Sequence, residues 1–552
     1  MKFARITFSQ VRMAGLSTLL ALLPALAPAA NTSYKVSQIA VAGATATYAQ
    51  SLNKSNAVVG LAVLTSGTVE GFKLANGKYT IIKYPKAGNS TRAFGINDSN
   101  LIVGDFLGTD GFFHGFKLSA GKYTQYDVDL GVLSTSIFGV NNAGDFVGTV
   151  GTEGYVNIGG TVTQFYGSAT DATYPNAINT SDQVVGQYQD SSNNWHGFSR
   201  DSGGTITEIV YPGAVQTACI GVNDAGVITG WYQNGLGQYY GFIDTAGVFQ
   251  TIGFLQVHGI NNNGVFLGSY SGPGATGGVT YGVLATPHTM KSLTTVAITK
   301  AQSTSIVGLN NSGQLVGQYT NSKGVIHGLL LKGTTPTSID DPKAMAGTTW
   351  CYGINSTGTI VGFYTTSTSA MQGFMYSAGT YTDIGPAGSL FSEAININDS
   401  GVINGIFEDS SFLFHAFTYN GGTYTQVDVP GATATEGWGV NASGELTLDW
   451  LDSNGYWESS VYNGTTYTTV NVPGALQSLV HSINKSGNVV YTWYDYWGVE
   501  HGAFLEGGSY YIFDDPTGPS TRADGINDSN LVVGRFLQAG STTLFDGYKA
   551  MN

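Results

Sequence analysis

Charge is scarce in this chain. Only 11% of the 552 residues are Asp, Glu, Lys or Arg, while 42% are apolar and 12% aromatic. Disorder needs the opposite balance, so a folded protein is expected. Stretches of Ala, Leu, Glu and Lys are missing beyond the first thirty residues. What remains, rich in Gly, Tyr, Thr, Val and Ser, reads as short strands joined by tight turns. Positive charge is the scarcer sign, with 22 basic residues against 36 acidic ones. Such a surface repels phosphate backbones, which excludes nucleic acid as a partner and suits a soluble acidic protein.

Cysteine is nearly absent. Cys219 and Cys351 each stand four residues ahead of an Asn that recurs throughout the chain. They therefore hold one structural position in two distant copies, too far apart for a disulfide. Long apolar runs are absent too. The longest, Met13 to about Leu26, falls short of the ~20 residues that cross a bilayer. It follows the basic Lys2, Arg5 and Arg12 and precedes Ala27-Pro28-Ala29, the layout of a secretion signal over residues 1–29. No Cys follows it to carry a lipid. The mature protein is expected outside the cytoplasm, secreted or periplasmic, with no membrane span.

Catalytic signatures are missing as well. The mature chain has no Gly-x-Ser-x-Gly elbow and no His-Glu-x-x-His. Gly272-Pro273-Gly274-Ala275-Thr276-Gly277 spells a dinucleotide fingerprint, but no helix follows it to hold a pyrophosphate.

What is present is a repeat. Gly-Ile-Asn-x-x-Gly-x-Ile-Val-Gly-x-Tyr leads through a loop to His-Gly-Phe, then a Gly turn, then Tyr-Thr-x-x-Asp-x-Pro-Gly-Ala. The Asn recurs at 53, 97, 141, 179, 223, 261, 310, 355, 398, 441, 484 and 527. A strand-only period of about forty-three residues is the signature of a four-stranded propeller blade. The expected fold is thus an all-β repeat β-propeller of twelve four-stranded blades. Twelve exceeds the usual four to eight blades of one ring, and the spacing widens between Asn261 and Asn310. The prediction is two six-bladed rings, residues 30–286 and 289–552. The phase of the repeat implies that Tyr34–Val41 completes the blade of Asn261, and Lys291–Ile298 that of Asn527.

The Asn itself reads as turn chemistry. At Asn97, Asn223, Asn355, Asn398 and Asn527, as at the others, it suits the first position of a type I turn. Three residues on stands Gly, Asn or Asp, the types that tolerate positive φ. The Gly after Val-Val or Ile-Val, as at Gly104, suggests close packing of neighbouring sheets. His114, His196, His327, His415 and His501 sit seventeen residues after their Asn. Spread over separate blades they would not converge on a metal, so a structural hydrogen-bonding role is expected.

His415-Ala416-Phe417, with His114-Gly115-Phe116 and His196-Gly197-Phe198, resembles the repeat of the bacterial extracellular HAF family. Gly353 to Gly362 matches the Gly-Ile-Asn-x-x-Gly-x-Ile-Val-Gly element that precedes it there. The resemblance spans nearly all of the mature chain and implies an exported repeat protein. It brings no catalytic residues with it.

The most individual feature is aromatic. Five of the eight Trp lie between Trp438 and Trp497, and Trp493-Tyr494-Asp495-Tyr496-Trp497 is the densest stretch. Trp493 aligns with core tyrosines. Trp497, with Tyr494 and Tyr496, forms the candidate ligand surface. Asp340-Asp341, Asp514-Asp515 and the turn acids Asp98, Asp224, Asp399 and Asp528 offer oxygen ligands that suit an occasional calcium ion, and no other cofactor is expected. The functional reading is an exported non-catalytic binding or scaffold protein for glycan or protein ligands. A glycan lyase or hydrolase and a surface or biofilm structural protein are the alternatives.

Overall fold

The computed structural model describes residues 32–128, 134–167, 172–252, 256–271, 280–473, 475–495, 498–514 and 520–551. All regular structure among them is β, in forty-eight strands. The expected signal segment 1–29 lies outside the described residues, as do Gly272–Gly277, Tyr496, Trp497 and Asp515. The chain divides into two compact units. One is Val36–Pro287; the other is His288–Asn552 with the described residues ahead of Val36.

Eight of the repeats each make a separate four-stranded antiparallel sheet in chain order, as in Thr91–Ile96, Ile102–Leu107, Phe113–Ser119 and Lys122–Tyr126. Branched and aromatic residues fill these strands because a pleated, half-buried surface accommodates their stiff side chains. The second strand is the most buried, and the fourth exposes most of its residues. A single sheet has too little apolar surface to stand alone. The cores are accordingly shared: Val59 and Ile82 of one repeat pack with Ala93, Ile102, Phe106 and Phe116 of the next. The Phe at the end of His-Gly-Phe, and its equivalents after Gln372-Gly373 and His415-Ala416, are fully buried at Phe116, Phe198, Phe374 and Phe417, each stabilising its sheet by about 2–3 kcal/mol.

The last repeat of each unit has only three strands of its own. The blade of Asn527 is completed by Ser292–Val296, antiparallel to Phe545–Met551 with Ser292 opposite Met551. In the repeat of Asn261, the strand Thr32–Ile39 lies beside Thr280–Thr289. Both pairings follow the phase of the repeat.

The glycine after Ile-Val acts inside its own sheet, which differs from the expectation of contact between sheets. A Cβ on Gly104 would stand 1.9 Å from the carbonyl oxygen of Arg92 and 2.9 Å from the ring of Phe116. The cause is a bulge in the first strand, where the register slips between Ala93 and Gly95 and turns that carbonyl inward. Successive sheets meet two residues before the Asn instead. There a Cβ on Gly95 would meet the Phe138 carbonyl at 2.9 Å.

The Asn does more than shape its turn. Asn97 Oδ1 accepts the N–H groups of Ser99 and Leu101 at 3.1 and 2.9 Å, and positive φ follows three residues on, at Asn100. Its Nδ2 meanwhile donates to the carbonyl of Asn141 in the next repeat at 2.9 Å. The same bond runs from Asn53 to Asn97, Asn141 to Asn179, Asn179 to Asn223, Asn223 to Asn261, and from Asn261 back to Asn53. A second closed circuit links Asn310, Asn355, Asn398, Asn441, Asn484 and Asn527, the last donating to Asn310. Each circuit surrounds a cavity of about 70 Å³ lined by all six repeats of its unit.

Candidate binding face

Antiparallel order sorts the connections. Turns from first to second and third to fourth strand lie at one end of each sheet, with the Asn circuit. Loops from second to third strand, and links to the next repeat, lie at the other. Main-chain bonds such as Leu390 N–H to Glu408 O and Leu476 N–H to Tyr494 O tie those links to those loops. Exposed bulk follows the same division. In the His288–Asn552 unit the exposed large apolar side chains among the described residues are Val325, Met345, Leu390, Phe412, Leu413, Tyr456 and Leu476. All seven sit on the loop and link end. Single exposed apolar residues are ordinary, but their confinement to one end is not.

The described part of the aromatic stretch that marked the sequence, Trp493 to Asp495, lies at this end. Trp493 is 2% exposed and stacks on His501 at 4.4 Å. Tyr494 is also buried; its hydroxyl donates to Glu500 at 2.9 Å and accepts from Arg522 at 3.3 Å. Tyr496 and Trp497 fall between Asp495 and Gly498, outside the described residues.

The recurrent histidines are clamped between carboxylates. His114 Nδ1 faces Asp127 at 3.1 Å and its Nε2 faces Asp110 at 3.0 Å. His196 lies between Glu208 and Asp190, His415 between Asp428 and Asp409, and His501 between Asp514 and Asp495. His327 bonds Asp340 at 2.8 Å and Asn321 at 3.1 Å. Each ring also packs on an aromatic of the second strand, as His196 does on Tyr188 at 5.0 Å. Burial works against the proton on His501, yet Asp514 and Asp495 hold its pKa up to about 10. Sequence reasoning named the histidines, and Asp340 and Asp514 as oxygen ligands for calcium, but missed that the acids pair with the histidines. The signal was present: Asp127, Asp340, Asp428 and Asp514 all stand thirteen residues after their His.

Among the described residues no three His, Cys, Asp or Glu gather around a metal position. The turn acids are engaged between repeats: Asp98 accepts from the Lys54 N–H at 2.8 Å and from Asn142 Nδ2 at 2.9 Å. Cys219 and Cys351 are free and buried.

A second polar group lies on the inner wall of the His288–Asn552 unit, at positions five and three before the Asn. Glu393 is 2% exposed, and burial, reinforced by the charge of Glu436, pushes its pKa up to about 8. Burial pushes the Tyr352 hydroxyl up, with Glu393 adding to the effect. Arg522 is paired with Glu500; burial would raise that carboxyl, but Arg522 holds it down at about 2. Trp350, Tyr352 and Trp438 pack on one apolar cluster with Ile395. The sequence signal for this wall was the variety of side chains five and three residues ahead of an invariant Asn.

No family model and no curated protein sequence matches the chain. Solved structures superpose loosely. The SapL1 lectin in complex with alpha methyl fucoside is 11% identical, with 47% of this chain and 96% of that one covered and a TM-score of 0.33. The beta-propeller domain of the Trilobed protease from Pyrococcus furiosus is 12% identical over 61% of this chain and 94% of its own, at a TM-score of 0.29. For the BP39L lectin from Burkholderia pseudomallei the values are 10%, 61%, 95% and 0.25. Such superpositions are too loose to carry an argument about ligand or site.

Proposed function

We propose that the chain is an exported, non-catalytic binding protein made of two six-bladed β-propellers, with glycans as its ligand class. The two closed Asn circuits support the blade count, and the strands borrowed by the repeats of Asn261 and Asn527 support the division. Export rests on the basic and apolar pattern of residues 1–29; no helix among the described residues is long and apolar enough to cross a membrane. The observation that carries the binding reading is the confinement of exposed apolar side chains to the loop end of the His288–Asn552 unit. Loops on a rigid repeated frame can vary without disturbing the core, which is where recognition is placed. Trp497 and Tyr496 belong by sequence to one of these loops and join the proposed contact surface, whereas Tyr494 is committed to Glu500 and Arg522. The reading needs no cofactor.

The test is the purified chain without residues 1–29 on glycan and cell-wall polysaccharide arrays, with turnover assays on every retained ligand. Retention without product is expected, weakened by Leu413→Ser and by Trp497→Ala. Product formation refutes the non-catalytic reading, and blank arrays refute glycan binding.

A further inference from the structure

The histidine clamps at the loop end differ in how many protons they need. His196 Nδ1 lies 2.6 Å from Glu208 and its Nε2 3.2 Å from Asp190. A neutral imidazole carries one N–H and can donate to only one of them, so the full arrangement requires the imidazolium. His114 stands in the same way between Asp127 and Asp110, with Gln125 also donating to Asp127. At His415 and His501 the loop acid is farther off, at 3.5 and 3.6 Å. His327 is the contrast. Its loop residue is Asn321, whose Oδ1 accepts the N–H groups of Lys323 and Val325 and whose Nδ2 therefore turns to His327 Nε2 at 3.1 Å. That ring nitrogen accepts, and the single N–H of a neutral ring serves Asp340 at 2.8 Å.

The second proton on His196 holds a loop. Asp190 organises the turn between second and third strands, its Oδ1 accepting from the Ser192 and Asn194 N–H groups at 2.8 Å each. Glu208 belongs to the fourth strand, Ile206–Ile209, and Tyr188 of the second strand stacks on the ring. Burial works against the charge on His196, but Glu208 and Asp190 outweigh it and raise the pKa. His114 is raised against burial in the same way by Asp127 and Asp110. The side chains of His196, Asp190 and Glu208 are 30%, 30% and 45% exposed, so the proton exchanges with solvent. When it leaves, the shorter contact to Glu208 keeps the remaining N–H. The lone pair on Nε2 then faces the Asp190 carboxylate, and the attraction that tied the turn to the strand becomes a repulsion.

We infer that His196 with Asp190, and His114 with Asp110, are proton-operated latches that hold two loops of the Val36–Pro287 unit in mildly acidic surroundings and release them in alkaline ones. The latches concern the order of the loops and stand whether or not those loops bind glycan. Amide hydrogen exchange over residues 190–195, followed from about pH 5 to about pH 9 and corrected for the intrinsic rise of exchange with pH, reads the first latch. Protection should fall about two- to fivefold across the titration of His196, the range of one exposed ion pair. Residues 321–325 of the same sample should stay level. Asp190→Asn installs the arrangement of Asn321, and His196→Gln places the residue that Gln372 supplies in the repeat of Asn355. Both variants should fold, as calorimetric melting checks, and both should flatten the profile of 190–195. By NMR the His196 ring should titrate above the ordinary 6.5. A wild-type profile as level as that of 321–325 overturns the latch, as does a slope that survives in either variant. A ring that titrates at or below 6.5 overturns it too.

Discussion

Replacing Glu393 by Gln removes a titration and leaves the shape of the side chain nearly unchanged. In the folded protein this carboxyl keeps its proton to about pH 8, against 4.5 for an ordinary glutamate, because it is buried and faces Glu436. The folded state therefore binds a proton that the unfolded chain has released between those two values. Stability from this group is complete below pH 4.5, declines as pH rises and reaches its floor above pH 8. At 1.36 kcal/mol per unit, the decline amounts to about 5 kcal/mol. Gln does not titrate, so the variant should match the wild type near pH 4.5 and exceed it progressively up to pH 8. For a unit of this size the gap corresponds to roughly 10–20 °C in melting temperature. Differential scanning calorimetry across that range reads it directly, and only the transition of the second unit should move. Glu436→Gln should narrow the window by removing the neighbouring charge. Parallel pH profiles for wild type and Glu393→Gln would refute the reasoning, since they would mean that the carboxyl is as well solvated in the fold as outside it.

The remaining expectations concern the frame. Asn97→Ala removes three turn bonds, from Ser99 N–H, Ser99 Oγ–H and Leu101 N–H, and the bond to Asn141, and should cost about 2–4 kcal/mol in urea melts; Asn97→Asp, which keeps the acceptor and loses the donor, should cost less. Gly104→Ala should prevent folding because its Cβ has no room. Gly111→Ala, at φ +86 in open space, should cost only about 1 kcal/mol. Two histidines should titrate in opposite directions by NMR. His501, held up to about 10 by Asp514 and Asp495 despite burial, gives stability that is complete below pH 6.5 and is lost towards pH 10. His258, pushed down to about 4 by burial, gives stability that is present above pH 6.5 and is lost as pH falls towards 4.

The frame was legible in the sequence because its determinants are local and repeated. Turn residues, β-branched runs and the phase of the strands announced the sheets, and the phase alone placed Ser292–Val296 against Phe545–Met551. The other half of the Asn was hidden. A turn explains why Asn should be common at that position, but not why Ser, Asp or Thr never replaces it in twelve copies. Only a side chain that accepts on one atom and donates on the other can cap its own turn and reach the next repeat. The carboxylate clamps were hidden for a different reason, since a fourth-strand Asp before Pro is ordinary turn chemistry until the register sets it beside His. The inner wall is still harder to read. Glu393 stands where the neighbouring repeats carry Trp350 and Glu436, and Asp524 where they carry His481 and Val307; so mixed a set of residues does not tell from sequence whether these positions are buried or meet solvent.

The borrowed strands also set the order of events during folding. Within one repeat the pairing partners are a few residues apart, so sheets can form as soon as their four segments exist. Ser292–Val296, by contrast, must wait for Phe545–Met551, some two hundred and fifty residues later. The entropic charge for so wide a loop rises only logarithmically with its length, but the encounter cannot precede synthesis of the final segment. The growing chain thus carries an incomplete array with one unpaired edge at its leading side, an aggregation hazard until the last strand arrives. Cooperativity should accordingly appear late and all at once. Truncation of the final strand should therefore damage the unit as a whole, not merely its last repeat.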